Sequence, residues 1–254
     1  MMGDGKALQM GTSHELGQNF ARAFEIRFSD TDGELRYPWQ TSWGVSTRLI
    51  GALIMAHGDD FGLRLPPDLA PHHVVVLVVR EDDGVRRAAE SLAAELVAAG
   101  WRVKLDDRTD TGFGRRSVDW ELKGVPVRVE VGPRDLAEGN VTMVVRHRQE
   151  KVQVPVGGAV AAVTTTMARV ADELRAEAVA FRDARTEAVD DLAGAVEVGK
   201  VGFARVPWAA VGADGEQQLA AATLSVRCLQ RPDGGLLADD AGDESAVAVV
   251  GRSY

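Results

Sequence analysis

The most strongly patterned stretch of the chain is Val74-Val75-Val76-Leu77-Val78-Val79, an unbroken apolar run of the kind found in strands covered on both faces. After it, Val85, Ala88, Leu92 and Leu96 recur at helical spacing. They predict a helix from Asp83 to Ala99 with Gly100 as its C′ residue. Trp101-Arg102-Val103-Lys104-Leu105 alternates as a strand again. Strand, helix and strand in this order predict a βαβ unit and a parallel sheet, to which 125–131 and 141–146 supply two further strands.

Upstream, Thr12-Ser13-His14-Glu15 has capping-box spacing, and Leu16, Phe20, Ala23 and Phe24 follow as one helical face. Glu25 to Ser29 reads as a strand, and Asp30-Thr31-Asp32-Gly33 as a hairpin turn. A strand through Tyr37 to Val45 leads into a helix capped by Ser46 or Thr47 and ending near Gly58. This part is α+β with an antiparallel hairpin at its centre. Leu65 to Pro71 is a proline-rich linker, and Gly157-Gly158 marks a second junction. Beyond it a long helix is expected from about Val160 to Leu192, with Val163, Met167, Val170, Leu174 and Phe181 on one face. Strands near 202–206 and 223–229 follow, with a Gly/Asp-rich loop from Pro232 to Glu244. There is no internal repeat.

Composition narrows the picture. At 254 residues, 45% hydrophobic and 26% charged, the chain is long enough for two or three compact pieces. The net charge of −9 argues against a sequence-blind nucleic-acid binder, which needs basic residues to neutralise phosphates. The acid is unevenly spread: residues 71–160 carry 14 basic and 14 acidic side chains, so an acidic partner is expected to dock there. The lone cysteine, Cys228, rules out internal disulfides and Cys-rich zinc fingers. No apolar run approaches the ~20 residues of a membrane span and no signal-peptide pattern opens the chain, which predicts a cytosolic protein with no membrane partner.

Two stretches carry chemistry. Gly11-Thr12-Ser13-His14 is placed where a strand hands over to a helix: it reads as a plain capping box or as an anion site of backbone N–H groups and hydroxyls. In Gln40-Thr41-Ser42-Trp43-Gly44-Val45-Ser46-Thr47-Arg48 a strand brings hydroxyls and an arginine to the start of a helix. Arg48 there is either a surface charge or a planar fork for phosphate oxygens, Gly44 lets a flat ligand approach, and Trp43 can wall a pocket.

Taken together, Gly5 through Ala21, Ser42 through Gly51 and His57-Gly58-Asp59-Asp60 resemble the prolyl-tRNA synthetases of the archaeal/eukaryotic type. The second block looks like motif 3 of the class II aminoacyl-tRNA synthetases. The resemblance continues through Trp120 to Pro126 and Arg128 to Asp135, and weakens after about residue 160. It implies the C-terminal part of a class II antiparallel catalytic sheet (1–68), an α/β anticodon-binding domain (69–158) and a small α/β C-terminal domain (159–254). It implies ligation of proline to its tRNA with ATP and Mg²⁺. Gln9, Thr12, Ser46 and Arg48 match ATP contacts, Gln9 lying near the magnesium and Arg48 holding the γ-phosphate. His14 and Trp43 match the proline pocket. Arg115, Arg116, Glu121, Lys123 and Arg128 are candidates for gripping the anticodon loop.

The chain departs from the family pattern at both ends. It begins at Met1, past the family's motif 1, which makes the dimer interface, and motif 2, whose arginine grips the α-phosphate. The expectation is therefore a truncated chain that is inactive alone, with the family's homodimer in doubt. The alternative is a non-catalytic tRNA-binding paralogue. At the other end, Ala209 follows Trp208 where the family has a zinc cysteine, Leu236 to Asp243 has none, and Cys228 is not at a ligand position, so no structural zinc is expected. Tyr254 fits the family's habit of ending in a tyrosine near the active site, whereas on physical grounds alone a chain end frays.

Overall fold

The computed structural model describes residues 1–237 and 245–254. The part of the Gly/Asp-rich loop from 238 to 244 lies outside the described residues. The chain forms two compact units, one of His57–Phe181 and one of Met1–Ala56 with Arg182–Tyr254.

In the first segment β1 (Gly11–Gly17) is followed by a short helix α1 (Asn19–Ala23), the hairpin β2 (Phe28–Ser29) and β3 (Leu35–Arg36), then β4 (Gln40–Val45) and α2 (Arg48–His57). β1 and β4 pair antiparallel as a two-stranded ribbon. The expected Asp30–Gly33 turn joins β2 and β3. The expected helix after Thr12 is corrected: residues 11–17 are strand, because all of them but Leu16, where the register shifts, have a partner on β4, and this pairing overrides the capping-box spacing. The Thr12–Glu15 cap, and the anion site it would make, go with it.

The unit of 57–181 opens with β5 (Gly58–Asp59) and β6 (Gly62–Leu63) and continues through β7 (Val74–Val78), α3 (Asp83–Ala98), β8 (Val103–Asp106), α4 (Phe113–Leu122), β9 (Val127–Val131), α5 (Pro133–Ala137), β10 (Asn140–Val145) and β11 (Glu150–Pro155) into α6 (Ala159–Asp183). The sheet order is β11-β10-β9-β7-β8. β7 is parallel to both its neighbours, and all five of its residues are buried, as its unbroken apolar run predicts. α3 starts at Asp82, whose carboxylate accepts from the N–H groups of Gly84 and Val85, and ends before Gly100 at φ +90°. Val85, Ala89, Leu92 and Leu96 of α3 and Ala159, Val163 and Met167 of α6 cover one sheet face. α4 alone covers part of the other, with Trp120 over Val75 and Leu77. The proline-rich linker is a 3₁₀ turn at Pro67–Leu69, held by the Arg102 guanidinium donating to the Ala70 carbonyl at 2.8 Å.

The long helix expected to reach Leu192 stops at Asp183. Thr186–Ala188 is instead strand β12, which pairs parallel with β13 (Phe203–Pro207), and α7 (Leu192–Gly199) is a separate helix capped by Asp191. With α8 (Trp208–Ala221), β14 (Ser225–Gln230) and β15 (Val247–Gly251) these make a second sheet in the order β12-β13-β15-β14. Ala204, Val206, Ala248 and Val250 pack there against Ala195, Val211 and Leu219. No helix among the described residues is long and apolar enough to cross a membrane.

Candidate functional sites

On the ribbon, Thr12 faces Gly44, Ser13 faces Trp43 and His14 faces Ser42. Opposed residues share a face and successive ones alternate. Thr12, His14, Ser42 and Gly44 therefore lie on one face, and Gly11, Ser13, Trp43 and Val45 on the other. Close approaches agree with this: a Cβ on Gly44 would lie 3.2 Å from Thr12 Oγ1, and one on Gly11 3.2 Å from Val45 Cγ1. β4 then turns into α2, where the Ser46 hydroxyl accepts from the Arg48 N–H at 3.3 Å. Gln9, Gly11, Thr12, Gly44, Ser46 and Arg48 border one cavity of about 330 Å³. The Arg48 guanidinium is exposed, with no ion pair among the described residues. Close by in sequence, the Tyr254 N–H donates to the Ala7 carbonyl at 2.8 Å, and Lys6 Nζ is 5.8 Å from the Tyr254 ring centre. The last residue is thus tied down rather than frayed.

The second site lies on the α4 face of the five-stranded sheet. Arg128 on β9, Val144 on β10 and Lys151 on β11 are in register across three strands. With Ser117, Trp120 and Glu121 of α4, Gln149 and Arg146 they line a cavity of about 220 Å³. Arg146 is almost fully buried. Its Nη1 and Nη2 reach the Asp59 carboxylate at 3.1 and 2.5 Å, and its Nε donates to the Glu121 carbonyl at 3.1 Å. This hydrogen bonding from Arg146 holds the Asp59 carboxyl below its ordinary 3.8 against the opposing effect of burial. Two glycines let the β5–β6 hairpin dock on the end of α4. A Cβ on Gly62 (φ +123°) would lie 2.5 Å from Leu122 Cα, and one on Gly124 (φ +69°) 2.5 Å from Leu63 Cβ. Of the basic side chains lining it, Arg146 is paired with Asp59 and Arg128 with Glu130 at 2.9 Å, Lys151 is exposed beside Glu121, and Trp120 supplies an aromatic wall. Such a surface can pair with phosphate and stack against a base.

Residues 73–166 match the family described as the Anticodon binding domain, and they contain most of this second site. Over its whole length the chain is 54% identical to a proline–tRNA ligase of Frankia casuarinae and 52% identical to proline–tRNA ligase 2 of Streptomyces avermitilis. A proline–tRNA ligase of Cenarchaeum symbiosum is 46% identical over 82% of the chain and 45% of that relative. The chain is a relative of the proline–tRNA ligases. It spans about half the length of the curated relatives it matches, 54% of the Frankia protein.

Against this relationship the expected residues divide. Gln9, Thr12, Ser46 and Arg48 come together from two separate stretches, and His14 shares the Thr12 face. Trp43 pairs with Ser13 and so stands on the opposite face of the ribbon from His14. Among the five expected at the anticodon, Glu121 and Arg128 line the sheet cavity, Lys123 sits with its ammonium 4.5 Å above the Trp120 ring, and Arg115 is exposed. Arg116 is corrected. It is 1% exposed and donates to the carbonyls of Val78 and Thr111, so it has no route to a ligand. Trp120, Arg146, Gln149 and Lys151 were missed. Trp120 and Arg146 stood inside recognised segments, whereas Lys151 lies on β11, a strand the pattern did not announce.

Proposed function

We propose that the chain carries two working parts of a proline–tRNA ligase: the phosphate-holding end of an ATP site and an anticodon-reading surface. The observation behind the first is the convergence of Gln9, Thr12, Ser46 and Arg48 around one cavity at the start of α2. The unpaired Arg48 guanidinium would take the terminal phosphate charge, the Thr12 and Ser46 hydroxyls would donate to phosphate oxygens, and Gly44 leaves room beside Thr12. The cavity's donors fit a nucleotide phosphate. For magnesium they offer the Gln9 amide oxygen and hydroxyls without a carboxylate, so Gln9 would hold the ion only alongside phosphate oxygens and water. When bound, that ion would neutralise phosphate charge. His14, on the Thr12 face, would border the proline. In this reading proline is activated as the adenylate and passed to tRNA-Pro.

The second part rests on the sheet cavity, where Arg128, Lys151 and Glu121 would contact anticodon bases and backbone. A binding-only role, as a tRNA-binding module, has one observation in its favour: this cavity is complete within 57–181, whatever happens at the ribbon.

Equilibrium binding tests both parts. The 254-residue chain is expected to bind an ATP analogue with Mg²⁺, and Arg48→Ala to weaken it by about tenfold or more, the worth of a hydrogen bond to a charged group. Equal binding by the variant overturns the ATP reading. For the tRNA reading the measure is preference for a tRNA-Pro transcript over other tRNA transcripts, and no preference overturns it.

A further inference from the structure

α4 supplies three residues of the sheet cavity, Ser117, Trp120 and Glu121, yet the apolar patch beneath it is small: Val75, Leu77, Val125 and Trp120 itself, with Phe113 at the edge. A patch of that size leaves a ten-residue helix free to rotate or slide unless directional bonds hold it. Arg116 reaches the Val78 carbonyl at 2.8 Å and Arg146 the Glu121 carbonyl at 3.1 Å, and the largest group of such bonds meets at one residue. Asp106, the last residue of β8, has a fully buried side chain. Its Oδ2 accepts from Trp120 Nε1 at 2.6 Å and from Arg108 Nη2 at 2.7 Å. Its Oδ1 accepts from Arg108 Nε at 3.1 Å and Arg116 Nη1 at 3.4 Å. Arg116 and Trp120 are one helical turn apart on α4, so the two of them set both its height and its rotation against the sheet.

We infer that Asp106 is a positioning residue for the anticodon-reading cavity, acting through Trp120 and Arg116 to hold Ser117 and Glu121 at its wall. The inference rests on the proposed reading of that cavity. A carboxylate is needed there because its two oxygens receive donors from both the helix and Arg108; an amide offers one oxygen and turns an NH₂ toward the rest. The Asp106 side chain has no exposed surface and touches no RNA, so its effect is on the geometry of the wall alone.

The experiment measures equilibrium binding of the 254-residue chain to two transcripts, tRNA-Pro and the same tRNA with its anticodon bases replaced. Asp106→Asn and Trp120→Phe are each expected to lose about tenfold in affinity for the native transcript and less than twofold for the replaced one, so that discrimination falls by the same factor. The double variant is expected to be no worse than the poorer single one, since both break one link. Leu96→Ala, in the core on the opposite sheet face, is the comparator: it lowers stability and leaves discrimination unchanged. If Asp106→Asn does not fold, Trp120→Phe decides, because it deletes the N–H and keeps an aromatic ring. Full discrimination by a folded Trp120→Phe chain, or strict additivity of the two changes, overturns the inference. A wild-type chain that binds both transcripts equally removes the reading of the cavity itself, and the inference with it.

Discussion

β4 and β7 both carry large apolar side chains, Trp43 and Val45 in the one and all five residues in the other, yet they are stabilised in different ways. Every residue of β7 is fully buried between α3 and α6 on one side and α4 on the other, whereas Trp43 and Val45 of β4 are 75% and 76% exposed. A central strand with helices on both faces buries enough surface to be stable by itself, and a two-stranded ribbon does not. The ribbon nevertheless borders the cavity proposed to hold phosphate. Side chains there answer to ligand chemistry, while those around β7 answer first to packing and only at the cavity rim to a ligand.

Substitutions separate the two regions, and the largest effect belongs to the core. Leu92→Ala is expected to cost about 2–5 kcal/mol, read as a lower urea midpoint, because the side chain is fully enclosed in the β7 core. A loss below about 1 kcal/mol would erase the contrast. Acid gives a graded version. The hydrogen bond from Arg148, with a smaller one from His147, draws the Glu173 carboxyl from 4.5 down to about 2 against the opposing effect of desolvation. At Asp106, burial favours the neutral acid, but hydrogen bonds from Arg108 and Trp120 outweigh it and hold the carboxyl well below 3.8. Both carboxyls ionise more readily folded than unfolded. Their stabilisation is therefore complete above about pH 4.5 and fades as the pH falls toward 2. The urea midpoint should decline over that window, and Glu173→Gln should make the decline shallower; an unchanged slope would show that the pair adds nothing.

Smaller still, Asp82→Ala removes the α3 cap and is expected to cost about 1 kcal/mol by the same measurement. The smallest effect is predicted on the ribbon. Arg48→Ala and Trp43→Ala should each shift stability by less than about 0.5 kcal/mol, since neither side chain is buried. Of the two, only Arg48→Ala should weaken nucleotide binding. A large stability loss from Trp43→Ala would show that the ribbon has packing of its own.

How far the chain could be read in advance follows the same division. The run at 74–79 and the spacing of Val85, Leu92 and Leu96 announce β7 and α3, because burial on both faces and on one face leave unlike patterns. α4 went unread. Its buried face carries Arg116 between Phe113 and Trp120, with Gly112 and Gly114 at its start, so its periodicity is broken at the place where the fold buries a charge. At the ribbon, Thr12 to Glu15 has the composition of a cap, and only its pairing with 41–44 makes it a strand.

Residue types and local spacing by themselves determined the parallel βαβ heart, the hydroxyls and arginine at the start of α2, and the balanced charge of 71–160. The relationship to proline–tRNA ligases was also written in the order of residues. Only the tertiary structure decided which of those side chains can act. The register of β1 against β4 sent His14 and Trp43 to opposite faces, since strand side chains alternate and one pairing sets them all. Packing of α4 on β7 and β8 buried Arg116 and put Arg146 and Lys151 beside Glu121, residues from 25 to 30 positions apart in the chain. A charge in a sequence becomes structural or available according to the neighbours that remove it from water, and those neighbours are supplied by distant strands.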